Sequence, residues 1–371
     1  MHVSTRIQSS EITVQLCKEN EKNPKTDAGS LLFGHTFTDH MLRIDWNSKT
    51  GWNKPQITPL RPLTLHPAAK VFHYALELFE GMKAYRGFDN KIRLFRPDLN
   101  MKRMLSSAER LSLPLFDAEQ LLECMKKLIK IDVDWIPEAK HNASLYIRPT
   151  LIGVEPTLGV TSSNDAILYV ILSPVGAYFK TGIKPVKLIA DPKNVRAWPG
   201  GSGNRKLGSN YAPTIAIQKE NEKLGYQQII WLFGDDHQLT EVGAMNLFVF
   251  LINENGEKEL VTPPLDDGII LPGVTRISLL ELARQWKEFK VSERKITMKE
   301  VKKALQEKRL LEIFGSGTAC SVCPVGVIHF QNEDLIIPTM EHKEPLNIRF
   351  LNELSAIQYG KKSHPWAVEI C

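Results

Sequence analysis

Residues 200–213 read GGSGNRKLGSNYAP and set one lysine, Lys206, between two glycine-bearing turns just ahead of a helix start. Glycines of this kind let a backbone turn tightly and pass close to another group. A loop lysine is ordinarily a solvated charge, and with 47 Lys+Arg in the chain that reading suits nearly all the others. Working outward, VKLIAD (186–191) patterns as a strand before the loop. After it, Pro213 has the fixed φ of a first helical turn, and the helix runs to a stop at Gly225. QQIIWLFG (227–234) follows as a strand, and NLFVFLINENGEKELVTPP (246–264) as a hairpin turning at Asn255-Gly256. A glycine precedes a helical pattern in LPGVTRISLLELARQW (271–286), and Thr297 with Glu300 starts another helix.

The first half alternates in the same way. GMKAYRGFDNKIRLFRP (81–97) reads as a hairpin and DLNMKRMLSSAERL (98–111) as a helix. Asp117 caps a further helix, with Gln120 facing back to it and Leu121, Met125 and Leu128 on one face. Strands are expected at ASLYIRPTLIG (143–153) and AILYVILSPVG (166–176). Breakers cluster in SPVGAYFKTGIKP (173–185), the candidate interdomain linker. This mixed order with few long crossovers argues for an α+β fold. The expected organisation is a flexible polar arm over 1–30, a small domain over 31–175, an interdomain loop over 176–185 and a large domain over 186–371.

The 371 residues are 43% hydrophobic and 24% charged, enough apolar material for a large core. The net charge of +5 is small, and basic residues interleave with acids, so nucleic acid is not an expected partner. AILYVIL is far too short to cross a bilayer, which takes about 20 residues. The first 30 residues lack the apolar core of a secretory signal, and Glu11, Glu19 and Glu21 count against a transit peptide. Cytoplasmic residence is expected, with a mitochondrial address as the alternative. Five cysteines with one close pair, Cys320 and Cys323, make no disulfide framework and suit a reducing compartment.

Generic catalytic motifs are absent: no GxxxxGK[ST], no HExxH, no GxSxG and no second Cys pair to complete a zinc site, so no metal is expected. What remains are three loops able to offer backbone N–H groups to an anion: Gly200 to Asn204, Gly273-Val274-Thr275 at a helix start, and Gly315 to Thr318. Each alone is also ordinary turn chemistry. A lysine near a phosphate cradle suggests pyridoxal phosphate, which supplies both an aldehyde for the amine and the phosphate. An ε-amine, usually protonated below about 10.4, becomes nucleophilic when desolvation or a nearby cation lowers that value.

FGHTFTDHM (33–41), LELFEGMKAYRG (76–87), SLYIRPTLIG (144–153), VEPTLGV (154–160), SPVGAYF (173–179), RAWPGGSGNRKLGSNY (196–211), DDHQLTEVGAMNLF (235–248), TPPLDDGIILPGVTR (262–276) and FGSGTACSVCPV (314–325) stand in this order. Together they resemble the branched-chain-amino-acid aminotransferases of eukaryotic type. The resemblance implies the two-domain fold type IV of pyridoxal-phosphate enzymes, related to D-amino-acid aminotransferase. It implies ping-pong transamination of L-leucine, L-isoleucine and L-valine with 2-oxoglutarate, and a homodimer.

By that resemblance Lys206 is the Schiff-base lysine, forming the internal aldimine and later moving the Cα proton. Tyr211 bonds the cofactor's phenolic oxygen, and Glu241 the pyridine nitrogen. Arg103 binds the phosphate with Val274, Thr275 and Thr318. The implied substrate pocket is Phe33, Tyr74, Phe79, Tyr146, Tyr178, Thr240 and Ala319, with Leu158 and Val160 from a second subunit and Arg148 for the distal carboxylate of glutamate. Outside the family, such aromatics are more often plain core and Arg148 a surface ion pair. Cys320 and Cys323 are either a redox-sensitive pair, as in the family, or two small buried hydrophobes. The chain departs from the family at Ser209, where a glycine is usual, and at Ala244, where a threonine is usual. Other fold type IV activities, D-amino-acid aminotransferase or aminodeoxychorismate lyase, and a redox-gated cofactor-holding scaffold are the alternatives.

Overall fold

The structure is a computed structural model and describes residues 6–177 and 184–371. The chain forms two compact units, one of Met1–Lys180, Lys206–Ser209 and Ala356–Cys371, the other of Thr181–Arg205 and Asn210–Ser355.

The first unit is built on a ten-stranded sheet. Its order is Thr13–Val14, Gln56–Pro59, His40–Asn47, Asp165–Val175, Ser144–Gly153, Met82–Arg86, Ile92–Phe95 and Ala367–Glu369, with Gly51–Trp52 beside His40–Asn47 and Glu77–Phe79 beside Ser144–Gly153. Side chains alternate across a strand. In Ser144–Gly153, Leu145, Ile147 and Leu151 therefore enter one apolar core with Met101, Met104, Leu121, Met125 and Leu128 from the helices Pro97–Arg110 and Ala118–Ile131. Each such buried side chain stabilises by roughly 1.5–3 kcal/mol. The alternate residues, Tyr146, Arg148 and Thr150, fall on the opposite face, where Thr150 pairs with Phe79 and with Tyr169.

The local signals act as read in most places. Met82–Arg86 and Ile92–Phe95 pair as a hairpin, and the Asp117 carboxylate accepts from the N–H groups of Glu119 and Gln120. Gln120 does not face back to that cap: its Oε1 accepts instead from the backbone N–H and the hydroxyl of Ser9. The described part of the N-terminal arm is anchored at a few points, while most of its residues are exposed. Ile7 is fully buried, Thr13–Val14 adds a parallel strand to Gln56–Pro59, and the Cys17 N–H donates to His40 Nε2 at 2.9 Å. One apolar residue finding a core position among polar neighbours leaves no periodic signal. The first three residues of the breaker-rich stretch, Ser173, Pro174 and Val175, are strand, paired with Tyr146, Leu145 and Ser144. Residues 178–183 of that stretch lie outside the described residues.

The second unit carries a nine-stranded mixed sheet. From Gln238–Val242 the order runs through Gln228–Phe233, Val186–Asp191, Val322–Phe330, Leu310–Ser316 and Met245–Ile252, which pairs again with Gln238–Val242, so these strands close a ring. Closure removes edges and fills the interior with side chains. Leu188, Ile230, Val242, Leu247, Val249, Ile313 and Val325 belong to the resulting core. Lys258–Thr262 and Lys290–Glu293 extend the sheet beyond the ring. The hairpin between Met245–Ile252 and Lys258–Thr262 turns with Gly256 at φ +79°, where glycine adopts the left-handed conformation without strain.

Candidate active site

In the first unit Lys206 is fixed through its backbone on both sides. Its N–H donates to Ser107 Oγ at 3.0 Å, and its carbonyl accepts from the Phe79 N–H at 3.2 Å. Leu207, 2% exposed, forms a bridge with Leu78. The side-chain Nζ then lies 4.7 Å from the centroid of the Phe79 ring. The Arg148 guanidinium lies over the same ring at 4.6 Å, and its Nη2 donates to Tyr146 Oη at 3.0 Å. Phe33 packs edge-on against Tyr146 at 4.8 Å. A side chain at Gly81 would collide with the Tyr146 hydroxyl, its Cβ only 2.0 Å from Oη, so this glycine makes room for the tyrosine.

Arg103 enters from the helix Pro97–Arg110 and is held by a residue the sequence reading missed. Glu80, fully buried, accepts from Arg103 Nε at 2.7 Å and from Nη2 at 2.8 Å, and from Asn100 Nδ2 at 2.8 Å. Burial alone would raise the Glu80 carboxyl; the Arg103 charge and hydrogen bonds, then Lys206 and Asn100, hold it below the usual carboxylate value. The signal for this group was the helical spacing of Asn100, Arg103 and Ser107, which puts all three on one face.

In the second unit Glu241 sits where the ring closes, paired with Trp231 on one side and Asn246 on the other. It is 3% exposed. Its Oε1 accepts from the Leu271 N–H at 3.0 Å and from Asn246 Nδ2 at 3.1 Å, and its Oε2 pairs with Arg196 Nη2 at 2.9 Å. Glu241, Tyr211, Arg196, Trp231 and Ala244 help line a cavity of about 110 Å³. The loop before Tyr211 is laced by Asn210, whose Nδ2 donates to the carbonyls of Ser202 and Arg205, both at 2.8 Å. Neither Arg196 nor Asn246 was singled out from sequence, although both lie inside the quoted blocks.

Asn246 also abuts the start of the helix Val274–Trp286. A Cβ at the N-cap Gly273 would lie 2.0 Å from Asn246 Oδ1, and no side chain caps this helix. Val274 and Thr275 are its first two residues. Across the adjoining strand pair Asn246 faces Ser316, whose buried Oγ has no hydrogen-bond partner, and Gly317, Thr318 and Ala319 follow. A side-chain-free helix N-terminus and an orphaned buried hydroxyl are the donor set an anion requires, and the buried Glu241 carboxylate suits a protonated ring nitrogen. These residues fit a phosphorylated pyridine cofactor, which the Lys206 amine complements chemically.

The structure does not bring Thr240 to this group. It neighbours Glu241 along a strand and so points to the other face, where its hydroxyl donates to the Trp231 carbonyl at 2.7 Å. Ala244 and Ser209 are exposed. Tyr178 lies outside the described residues. Leu158 and Val160 stand 62% and 81% exposed on the first unit, and the Tyr74 hydroxyl donates to the Leu158 carbonyl. Cys320 and Cys323 are both buried and unbridged. The Cys320 thiol holds that of Cys323 below its ordinary value against the opposing effect of burial. Among the described residues no group of His, Cys, Asp and Glu is arranged to hold a metal, and no helix is long and apolar enough to cross a membrane.

Residues 77–328 match the family model of the class IV amino-transferases. The chain is 57% identical to the mitochondrial branched-chain-amino-acid aminotransferase of Rattus norvegicus over 369 residues, covering 99% of this chain and 93% of that one. It is also 57% identical to the cytosolic branched-chain-amino-acid aminotransferase of Mus musculus, over 93% of this chain and 89% of that one. Among solved structures it resembles the branched-chain amino acid aminotransferase of Escherichia coli, with a TM-score of 0.70 at 22% identity over 90% of this chain and 99% of that one, a likeness of fold. A fold type IV architecture and identity sustained from end to end therefore agree, and the chain belongs to the branched-chain-amino-acid aminotransferases of class IV.

Proposed function

We propose that this protein transfers the amino group of L-leucine, L-isoleucine or L-valine to 2-oxoglutarate, with pyridoxal phosphate as cofactor and Lys206 as its catalytic base. The observation that carries the reading is the fixing of Lys206: hydrogen bonds on both its N–H and its carbonyl deliver the amine to the Phe79 ring, beside Tyr146 and Arg148. When bound, the cofactor supplies a carbonyl carbon that accepts an amine and a ring that draws electrons from the substrate Cα.

The remaining work belongs to side chains. Glu241, kept in place by Arg196, Asn246 and the Leu271 N–H, would hold a proton on the ring nitrogen. Tyr211 would donate to the phenolic oxygen, and Arg103, Val274, Thr275 and Thr318 would hold the phosphate. Lys206 Nζ takes the Cα proton of the amino acid and holds it for return, a general acid–base task. Phe33, Phe79 and Tyr146 offer a branched aliphatic chain apolar walls, each buried methylene contributing about 0.8 kcal/mol. The buried Arg148 Nε, which has no hydrogen-bond partner, together with the rest of that guanidinium, suits the distal carboxylate of glutamate. The exposed Leu158 and Val160, with Phe72 at 61% exposure, support a homodimer covering this face.

Borohydride reduction of the holoenzyme followed by peptide mapping is expected to put the pyridoxyl label on Lys206. Lys206→Ala should lose both the label and transamination, by at least about 10³-fold in rate. A label on another peptide, or normal turnover by the variant, removes the assignment.

A further inference from the structure

Glu77 is a half-buried carboxylate that no step above employs. It lies opposite Ile152 and shares a sheet face with Phe79 and, by alternation along the paired strand, with Thr150, Arg148 and Tyr146. Among the described residues no hydrogen bond reaches its carboxylate. Burial raises its pKa, and the cation that opposes this is Arg148. Its Oε2 presses on the segment carrying the lysine, since a Cβ at Gly208 would lie 2.1 Å from it. The titratable and charged groups facing Glu77 are Arg148 from Ser144–Gly153 and Tyr169 from Asp165–Val175, while the segment carrying the lysine meets it through Gly208.

An arginine that binds glutamate creates a difficulty when leucine is bound, because a buried guanidinium beside an apolar chain has lost its counter-charge. We propose that Glu77 is the specificity-determining counter-charge of Arg148, ionised when a branched aliphatic side chain fills the pocket and protonated when a substrate carboxylate reaches Arg148. This rests on the assignment of Arg148 to the distal carboxylate. An ionised Glu77 competes with an incoming dicarboxylate and leaves a neutral side chain undisturbed. One pocket then serves both substrate classes, with a proton drawn from solvent as the second replaces the first. The raised pKa of Glu77 makes that protonation attainable nearer neutrality than for an exposed glutamate.

The test uses two unreactive ligands, glutarate and 4-methylvalerate, on the pyridoxal-form holoenzyme, titrated calorimetrically in two buffers of different ionisation heat. Proton uptake is expected with glutarate and not with 4-methylvalerate. In Glu77→Gln the glutarate Kd should fall on the order of tenfold, the 4-methylvalerate Kd should rise, and the difference in proton uptake should vanish. Glutarate affinity of the wild type should weaken as pH rises through the Glu77 ionisation, relative to 4-methylvalerate, and this dependence should also vanish. If Glu77→Gln does not fold, Glu77→Asp, which withdraws the charge from Arg148, should shift the two Kd values in the same directions. Arg148→Met separates the two ideas. If it leaves glutarate binding unchanged, the Arg148 assignment is wrong; if it weakens glutarate while the Glu77 variants alter neither ratio nor proton uptake, the counter-charge is refuted alone.

Discussion

Arg103 shows how a single side chain is aimed. A free arginine on a helix would sweep through many rotamers, and a phosphate contact would have to order it. Here Glu80 grips the Nε–Nη2 edge of the guanidinium in a fully buried bidentate pair, and Asn100 holds the carboxylate from one turn away. Breaking a buried pair leaves an uncompensated charge, so Glu80→Gln is expected to cost about 3 kcal/mol of stability, read as a lower urea midpoint. The pH dependence has a definite sign. The Glu80 carboxyl is depressed in the folded state, so its contribution is present above the unfolded value of about 4.3 and is lost as pH falls through the lower folded value. The variant should therefore lose less stability than the wild type below about pH 4, and parallel acid limbs for the two proteins would contradict the assignment. Glu80 was invisible beforehand because its partner is 23 residues away and a glutamate before a glycine reads as a turn.

At the scale of elements, what was legible is what is local. The Asp117 cap, the Thr297 cap accepting from the Glu300 N–H, and the Gly256 turn each depend on residues within a few positions. Thr240 shows the limit: its strand, Gln238–Val242, was not read from the sequence, and which face carries a neighbour of Glu241 is settled only by alternation within the paired sheet. The 154–164 connection is another non-local construction. Lys70 is fully buried, its Nζ donating to the Thr161 carbonyl, to Thr161 Oγ1 at 2.7 Å and to the Ser162 carbonyl at 2.6 Å, and pairing with Glu155 at 2.8 Å. Glu155 in turn accepts from Asn164. This one ammonium closes the loop that presents Leu158 and Val160. Lys70→Met keeps the aliphatic stem and removes the donors, stranding several acceptors at a cost of about 2 kcal/mol. Amide exchange over 157–162 should quicken at least tenfold; unchanged exchange there would mean the loop is held by other contacts.

Across the whole molecule, both chain ends close the same sheet. Thr13–Val14 forms one edge of the ten-stranded sheet and Ala367–Glu369 the other, so the ends protect rows of backbone groups that would otherwise template pairing with another chain. The C-terminal strand also bonds outward from its ends: the Ile92 N–H donates to the Cys371 carbonyl at 2.6 Å, the Ile370 N–H to the Ile92 carbonyl at 2.9 Å, and the Arg96 N–H to the Trp366 carbonyl at 2.8 Å. Trp366 stacks edge-on against Phe95 and under Arg96, and Ile370 joins the main core. The sequence SHPWAVEIC carries no alternation long enough to announce a strand, and its partner lies some 270 residues earlier, which is why no local pattern revealed it. Removal of residues 364–371 strips Trp366 and Ile370 from buried positions, each worth roughly 1.5–3 kcal/mol, and uncovers the Ile92–Phe95 edge. The truncated chain should therefore unfold at a markedly lower urea concentration and form larger species in light scattering at concentrations where the full chain does not. Removal of residues 1–17 should act at the opposite edge through loss of Ile7 and the Thr13–Val14 pairing, with a smaller shift because fewer large side chains leave the core. An unchanged urea midpoint after the C-terminal removal would show that the sheet does not need its last strand, and the edge-protection account would fall with it.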